Sequence, residues 1–362
     1  MTRISTLKRI KPEPQALSKK TNVFIAGIGA VGGTLLQQTL KLPSSYSVNV
    51  TGICNSKHVV WNENADDKLS PTDLQFGEEK NWEQIINKLQ PGKDEKTIFV
   101  DATGDREVAE LYLKLFAKGI HVVTPSKLAN TRKQVYFNLL EKTARKNQVQ
   151  FLYETNVGAG LPIIQTLQNL INTGDEIVEI EGVLSGTMTY LFSQLDAGHS
   201  FSESVIQARQ LGYAEPDPRD DLSGEDVARK MMILARICGY DVEREELDVE
   251  PITPKALQNV DSTTFLENLP DFDAEWKERL DRLNKEGKTL RYIGSLNKDG
   301  IQVGLKEVKL NSPFGSLTGT NNIIQIKTNR YFDQPLIIQG PGAGKEVTAA
   351  GVLADVLKIV SS

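Results

Sequence analysis

The chain has 362 residues, of which 39% are hydrophobic and 25% are charged, a composition typical of globular proteins and a length sufficient for two domains. Its formal net charge of −5 argues against a nucleic-acid-binding surface, and no apolar run approaches membrane-spanning length. The two cysteines, Cys54 and Cys238, make no disulfide framework, which is typical of the reducing cytoplasm.

The first segment, residues 1–20, is basic but lacks the apolar stretch of a secretory signal. We interpret it as a flexible leader, with an organellar transit peptide as the less favoured alternative. The sequence contains neither a histidine pattern for zinc nor the GxSxG motif of serine hydrolases, so it favours neither class.

A glycine-rich turn lies between a predicted strand at 22–26 and a predicted helix at 34–41. In such a turn one glycine permits the reversal, one lets the backbone approach a pyrophosphate, and one lets the helix pack on the strand. A structural turn without a ligand is the alternative. We predict a dinucleotide site formed by Gly27, Ile28, Gly29, Ala30, Val31 and Gly32.

The predicted second strand, residues 48–54, ends without the acidic residue that commonly binds the ribose hydroxyls of NAD. Asn55, Ser56 and Lys57 follow it and would not repel a 2′-phosphate. The sequence therefore favours NADP(H), with NAD(H) as the alternative. Lys57 could also simply point to solvent.

Further strands, at 97–102, 120–123 and 149–153, alternate with helices, including one predicted over 106–118. This pattern predicts a doubly wound parallel α/β sheet, in which ligands bind beyond the carboxyl ends of the strands. Residues that follow those ends are therefore candidates for the cofactor or substrate crevice: Thr103, Gly104 and Lys127.

The segment 215–230 contains six carboxylates and ends in Lys230. Its prolines predict a loop rather than a helix, and Ser223 is the predicted cap of the helix that follows. Asp226 and Lys230 then occupy positions i and i+4 on one helical face. A lysine beside a carboxylate suits proton transfer to a small polar substrate, although such pairs are more often solvated surface contacts.

The last part of the chain predicts a hairpin around Asp299 and Gly300 and a terminal helix at 347–360 that packs back on the first domain. The glycine-rich turn before that helix is similar to a P-loop. It fails the motif at Gln339 and Glu346, so the sequence gives no support for a kinase.

Taken together, these segments resemble homoserine dehydrogenase, and most closely the dehydrogenase half of bifunctional aspartokinase–homoserine dehydrogenases. The segments that carry the resemblance are 27–33, 124–127, 154–162, 184–187, 211–224, 226–230 and 340–350. The resemblance implies a Rossmann-type doubly wound parallel sheet with a central α/β substrate-binding and dimerisation region. It divides the chain into a leader at 1–20, a nucleotide-binding domain at 21–153 plus 335–362, and the substrate and dimerisation region at 154–334.

The resemblance also implies the reaction, which is the reversible NAD(P)H-dependent reduction of L-aspartate 4-semialdehyde to L-homoserine, on the route to threonine, methionine and isoleucine. It implies a homodimer or higher homo-oligomer with no nucleic-acid or membrane partner. Lys230 matches the general acid–base, with Asp226 beside it. The matching substrate-binding residues are Glu215, Asp226 and Lys127. Asp221 of the same acidic loop is a further candidate, expected to position the substrate's ammonium group or Lys230.

Two further sets of residues follow from the same resemblance. Backbone that lines the cofactor matches Gly212, Gly342 and Gly344. A monovalent cation, expected to be Na⁺, matches main-chain carbonyls of Glu154, Val157, Ala159 and Leu161, although the residues alone favour a plain tight turn there.

The sequence departs from the family pattern at two places in the expected cofactor crevice. Ser126 and Leu128 flank Lys127 where the family often has Asn and Lys, and Gly104 follows Thr103 where Ser is common. Both changes leave the cofactor preference open. Neither an aspartokinase activity nor an appended feedback domain is expected, and a natural monofunctional enzyme and an excised half remain alternatives.

Other functions remain as alternatives. One is the dehydrogenation of another small amino-acid semialdehyde, and a second is a non-catalytic NADPH-binding regulator, which would have no need of Lys230 and Glu215. An aspartate-semialdehyde dehydrogenase would need a nucleophilic cysteine, for which neither Cys54 nor Cys238 is well placed.

Overall fold

A computed structural model describes residues 20–63 and 68–362, and the predicted leader, up to residue 19, lies outside the described residues. The first sheet has the strand order β4-β3-β2-β1-β5-β6-β7. Its strands are β1 (Lys20–Ala26), β2 (Val48–Cys54), β3 (His58–Trp61), β4 (Glu78–Glu79), β5 (Glu95–Asp101), β6 (His121–Val123) and β7 (Phe151–Leu152). The helices of this part are α1 (Ala30–Thr39), α2 (Trp82–Lys88), α3 (Arg106–Glu110), α4 (Tyr112–Ala117) and α5 (Gln134–Lys146).

Strands β2, β1, β5, β6 and β7 are parallel, and β3 and β4 extend one edge in antiparallel pairing. The predicted doubly wound parallel sheet is therefore confirmed. The helix predicted over 106–118 is instead two helices that meet at Leu111.

The second sheet has the strand order β13-β12-β8-β10-β11-β9. Its strands are β8 (Ile177–Val183), β9 (Asp248–Val249), β10 (Lys288–Asn297), β11 (Gly300–Lys309), β12 (Asn321–Thr328) and β13 (Leu336–Pro341), with antiparallel pairing except between β11 and β9. The remaining helices are α6 (Ile164–Asn172), α7 (Gly186–Asp196), α8 (Phe201–Gln210), α9 (Arg219–Leu222), α10 (Glu225–Ile237), α11 (Ser262–Asn268), α12 (Asp273–Lys285) and α13 (Lys345–Ser361). The predicted hairpin around Gly300 is confirmed as β10–β11.

The C-terminal helix α13 returns to the first sheet, as predicted. Val352 and Val356 of this helix are buried in one apolar cluster with Leu35 and Leu36 of α1. Strand β13, which precedes the helix, pairs with β12 in the second sheet. Strand β13 therefore pairs in the second sheet while helix α13 packs on the first, and the assignment of 335–362 to the nucleotide-binding domain stays a prediction.

The acidic segment begins differently from its prediction. A short helix, α9, starts directly after Pro218, where proline is tolerated because that position needs no N–H donor. Ser223 ends α9 instead of capping α10, whose N-cap is Gly224 in a left-handed conformation with φ of 77°. A Cβ at Gly224 would lie 1.9 Å from the Tyr292 hydroxyl, so only glycine fits.

The close packing of α1 against the glycine turn depends on Gly32, because a Cβ there would lie 1.9 Å from the Gly27 carbonyl oxygen. We expect Gly32→Ala to destabilise the protein by about 2–3 kcal/mol, since backbone must move to admit the methyl group. Gly33→Ala is the matched control, because its Cβ meets nothing nearer than 3.9 Å. It should be neutral or add up to about 1 kcal/mol through helix propensity. Chemical denaturation measures both, and equal losses would contradict this packing.

Candidate active site

The glycine turn combines one tight contact with one open position. Gly27 has a φ of 88°, and a Cβ there would lie 2.7 Å from the Ala102 carbonyl oxygen. A Cβ at Gly29 would meet nothing within 4 Å, and Gly29 is the N-cap of α1 with no side-chain cap. The free N–H groups at this helix start can therefore face a pyrophosphate.

The other predicted residues of this turn are Ile28, Ala30 and Val31. Ala30 and Val31 begin α1, so their N–H groups belong to the open helix start. The side chains of Ile28 and Val31 are partly buried against the apolar cluster of the first sheet. The apolar side chains of these residues offer no hydrogen bond, so a cofactor would bind through their main chain.

The end of β2 forms a short turn into β3. The Asn55 side chain accepts hydrogen bonds from the N–H groups of Lys57 (2.8 Å) and His58 (2.7 Å), which closes the turn. Ser56 and Lys57 are exposed. Asn55 therefore shapes the turn, while Ser56 and Lys57 are free to meet a 2′-phosphate.

The end of β5 is organised by a buried carboxylate, Asp101. The Thr103 N–H and hydroxyl both donate to one Asp101 oxygen, at 2.9 and 2.6 Å, and the Tyr112 hydroxyl donates to the other. Burial raises the pKa of Asp101, and these donors oppose the rise. Because the Thr103 hydroxyl is engaged, only its main chain and the exposed, left-handed Gly104 can line the crevice.

Three predicted residues meet at one point, where the end of β6 faces helix α10. The Asp226 carboxylate lies 2.7 Å from the Lys230 ammonium and 3.3 Å from the Lys127 ammonium. Lys230 also donates to the Leu184 carbonyl at 2.7 Å, in the loop between β8 and α7. An ammonium group has three N–H donors, so one donor of Lys230 remains for a substrate.

The pKa values of Asp226 and Lys127 both lie below their usual values, for different physical reasons. Burial alone would raise the pKa of Asp226, but Lys230 and Lys127 outweigh it and hold that pKa well below its usual range. Burial lowers the pKa of Lys127, and Asp226 opposes part of that shift. Asp226 is therefore an anion at neutral pH, which keeps two cations together.

The acidic loop lies at the N-terminus of α7. Asp221 accepts a hydrogen bond from the Glu215 N–H at 2.8 Å and lies 3.0 Å from the Thr187 hydroxyl, which donates to the Tyr213 carbonyl at 2.6 Å. Burial raises the pKa of Asp221. Asp221 thus fixes the backbone of the loop, while the exposed Glu215 side chain is free to bind a ligand.

The three remaining cofactor candidates are placed less specifically. Gly212 has a φ of 71° because it ends α8, a role that needs no cofactor. Gly342 packs directly on Asn322, with a Cβ position 2.0 Å from its amide carbon. Gly344 has a φ of 121° and precedes α13.

The predicted cation ligands lie in a tight loop before α6. The two Glu154 carboxylate oxygens accept hydrogen bonds from the N–H groups of Ile164 and Gln165, at 2.7 and 2.8 Å, so the carboxylate already has partners at the start of α6. Ala159 is buried with a φ of 52°, a strained conformation for a residue other than glycine.

The same loop contains an unpaired polar atom. The Thr155 hydroxyl is buried and has no hydrogen-bond partner among the described residues. An oxygen atom of this kind is the hard type of ligand that a cation site uses. Within residues 20–63 and 68–362, no cluster of three or more His, Cys, Asp or Glu side chains could hold a metal ion.

Three residues of α7, α10 and the loop before α7 had no role assigned from sequence. They are Leu184, Thr187 and Arg236. Leu184 acts through its carbonyl, which no side-chain pattern reveals, and Thr187 falls in a segment of the resemblance without a stated role. The sequence does contain one signal for Arg236, which is a charged residue directly after the apolar run 231–235 on α10.

An open glycine turn at a helix start and a lysine–carboxylate–lysine cluster after strand β6 are features expected of a dinucleotide-dependent oxidoreductase. The family model for homoserine dehydrogenase matches residues 162–357, and the model for the homoserine dehydrogenase NAD-binding domain matches residues 27–154. The chain belongs to the homoserine dehydrogenase family. No described helix is both long and apolar enough to cross a membrane.

Individual relatives agree with this assignment. The chain is 39% identical to the bifunctional aspartokinase/homoserine dehydrogenase of Haemophilus influenzae over 97% of its length, but it spans only 44% of that protein. It is 37% identical to the homoserine dehydrogenase of Paracoccidioides brasiliensis, with 93% of this chain and 96% of the relative covered.

Solved structures share the fold. A Candida auris protein of unknown function is 37% identical with a TM-score of 0.88, and 95% of this chain and 99% of that one are covered. A hyperthermophilic archaeal homoserine dehydrogenase in complex with NADPH is 24% identical with a TM-score of 0.73, covering 94% of this chain and 97% of that one.

The open position at Gly29 gives a test of the dinucleotide site. We expect Gly29→Ala to fold normally, because the methyl group meets nothing within 4 Å and φ is an ordinary −82°. It should raise the Kd for NADPH at least about tenfold, since the methyl group stands where a pyrophosphate would approach. Fluorescence titration with NADPH measures this, and an unchanged Kd would place the dinucleotide elsewhere.

Proposed function

We propose that the chain catalyses the reversible NADP(H)-dependent reduction of L-aspartate 4-semialdehyde to L-homoserine, with Lys230 as the general acid–base. The observation that carries the proposal is the Lys230 ammonium, which is buried, fixed by two acceptors at 2.7 Å, and left with one free donor. Family membership supports the substrate pair. In this proposal, residues 21–153 and 335–362 bind the dinucleotide and residues 154–334 bind the substrate.

The proton step follows from the geometry of Lys230. Bound NADPH supplies a hydride for the aldehyde carbon, and the aldehyde oxygen then needs one proton. In the proposal Lys230 donates that proton, and in the reverse direction the neutral amine accepts it from the hydroxyl group. The Leu184 carbonyl and Asp226 hold the ammonium still during the transfer, which suits general acid catalysis.

Substrate recognition relies on the opposite charges around the cluster. The semialdehyde is an amino acid, so it has an ammonium and a carboxylate. Glu215, whose main chain is held by Asp221, is the proposed partner of the ammonium group. The Lys127 ammonium, 27% exposed, is proposed to lie at the boundary between substrate and cofactor and to contact both.

The preference for NADP(H) is part of the proposal. Ser56 and Lys57 are exposed at the end of β2, with no carboxylate within the turn to repel a 2′-phosphate. The carbonyls of Glu154, Val157, Ala159 and Leu161 are proposed to hold Na⁺, which would relieve the buried, strained loop at Ala159. This loop supports α6 and so contributes to the substrate region.

A homodimer is also proposed, in a cytoplasmic enzyme of threonine, methionine and isoleucine synthesis. Large apolar side chains are exposed near the β12–β13 edge of the second sheet, where a second copy could cover them. They are Tyr331, Phe332 and Ile337, with exposed fractions of 41%, 50% and 46%.

Replacing Lys230 tests the proton step. We expect Lys230→Met to lower kcat for L-homoserine oxidation by about 10²–10⁴-fold, because the variant lacks the amine that accepts the hydroxyl proton in this direction. The Kd for NADPH should stay within about threefold, since Lys230 contacts substrate rather than the dinucleotide. Arg229→Met, next to it on α10, is the matched control and should retain turnover. Steady-state absorbance at the reduced-nicotinamide band measures kcat. A Lys230→Met variant with unchanged kcat would contradict the assignment of Lys230 as the general acid–base.

The turn at Asn55 tests the cofactor preference. Asn55→Asp keeps an acceptor for the Lys57 and His58 N–H groups and adds the missing carboxylate. We expect the ratio of kcat/KM for NADP⁺ to that for NAD⁺ to fall at least about tenfold, because the carboxylate repels a 2′-phosphate. Ser56→Ala is the control for the loss of a polar contact alone. A ratio that does not change in Asn55→Asp would show that the 2′-phosphate lies elsewhere.

A further inference from the structure

Arg236 is a guanidinium in an unusual place, on the buried part of helix α10. Its side chain is 0% exposed, and it follows Met231, Met232, Ile233, Leu234 and Ala235, which are all buried. A fully buried arginine stabilises a fold poorly compared with an apolar side chain of similar volume. Its contacts therefore indicate what else the residue does.

The guanidinium of Arg236 joins two segments that are remote in sequence. Nη1 donates to the carbonyl oxygens of Asn130 and Arg132, both at 2.7 Å. Nη2 donates to the Val242 carbonyl at 2.8 Å and lies 3.5 Å from the Glu243 carboxylate. The first pair of contacts fixes the turn after β6, and the second pair fixes Arg236 itself.

The turn held by Arg236 is the one that carries Lys127. The N–H and hydroxyl of Thr131 donate to the Lys127 carbonyl at 3.0 and 2.9 Å, so the backbone of Lys127 moves with the turn. The Lys127 side chain then reaches Asp226 at the opposite end of α10. Helix α10 therefore contacts this turn at two points. Arg236, near the C-terminal end of the helix, binds the turn carbonyls, and Asp226, near its N-terminal end, pairs with the Lys127 ammonium.

A second set of hydrogen bonds connects the same turn to the end of strand β6. The Asn130 amide donates to the Asn156 side-chain oxygen, and the Asn156 amide donates to the Thr124 carbonyl, both at 2.9 Å. All three residues are buried. The turn is therefore anchored to the end of β6 on one side and to α10 on the other.

We propose that Arg236 is a positioning residue for the reaction: by holding the carbonyls of Asn130 and Arg132, it sets the Lys127 ammonium against Asp226 and beside Lys230. The role in turnover rests on the proposed function. Arg236 contacts neither substrate nor cofactor in this proposal, and it acts through Lys127. A long lysine side chain has many conformations, so a fixed backbone is needed to keep its ammonium at one place.

A double-mutant cycle tests whether Arg236 acts through Lys127. We expect Arg236→Met and Lys127→Met each to lower kcat/KM for L-homoserine at least about tenfold, and the double variant to be no worse than Lys127→Met within about twofold. Arg236→Lys should recover part of the loss, since its ammonium can reach the turn carbonyls. Losses that multiply in the double variant would show an effect independent of Lys127 and overturn the proposal.

Chemical labelling gives a readout that needs no turnover. Acetic anhydride acetylates lysine amines, and peptide mass spectrometry reports each site. We expect Lys127 to react at least about threefold faster in Arg236→Met than in the wild type, because the released side chain is more exposed. Lys277, which is 77% exposed in a different part of the molecule, is the reference and should not change. Equal labelling of Lys127 in both proteins would overturn the proposal.

The two experiments separate this inference from the proposed function. A wild-type protein without homoserine turnover would count against the proposed function. The labelling of Lys127 would still test whether Arg236 positions that side chain. If Arg236→Met fails to fold by circular dichroism, Arg236→Lys serves in both experiments. One ammonium cannot reach both turn carbonyls and the Val242 carbonyl, so this variant should show smaller changes in the same directions.

Discussion

The Asp226 carboxylate, held between two ammonium groups, is the interaction on which the site depends. Without it, the ammonium groups of Lys127 and Lys230 would repel each other with no anion between them. Asp226 and Lys230 belong to helix α10, whereas Lys127 follows strand β6 of the first sheet. One carboxylate therefore joins the nucleotide-binding sheet to the substrate region at the point where the proposed chemistry occurs.

The fold supplies this contact by bringing strand ends and helix starts together. The parallel strands of the first sheet end on the side of the glycine turn and Lys127, as ligand sites in doubly wound sheets do. The loop after β8 contributes the Leu184 carbonyl, and α7 begins beside the acidic loop. In the proposed function, the dinucleotide and the semialdehyde meet at this edge of the first sheet.

Sequence reasoning predicted most of the first sheet, because its strands are apolar and bounded by glycine or polar turns. Strand β2 has its predicted bounds, and the pairing of Asp226 with Lys230 follows from helical periodicity alone. Other features depend on tertiary contacts and could not be read. Gly224, rather than Ser223, starts α10 because Tyr292 of a distant strand leaves no room for a side chain.

The central claim is that the Lys230 cluster, with bound NADP⁺, turns over homoserine. The most direct test is the initial rate of L-homoserine oxidation by the purified chain, followed by the absorbance of the reduced nicotinamide, with NADP⁺ and NAD⁺ in parallel. The account predicts turnover with both and a higher kcat/KM with NADP⁺. No turnover with either, in protein that demonstrably binds NADPH, would contradict it and favour a different semialdehyde or a non-catalytic NADPH-binding protein.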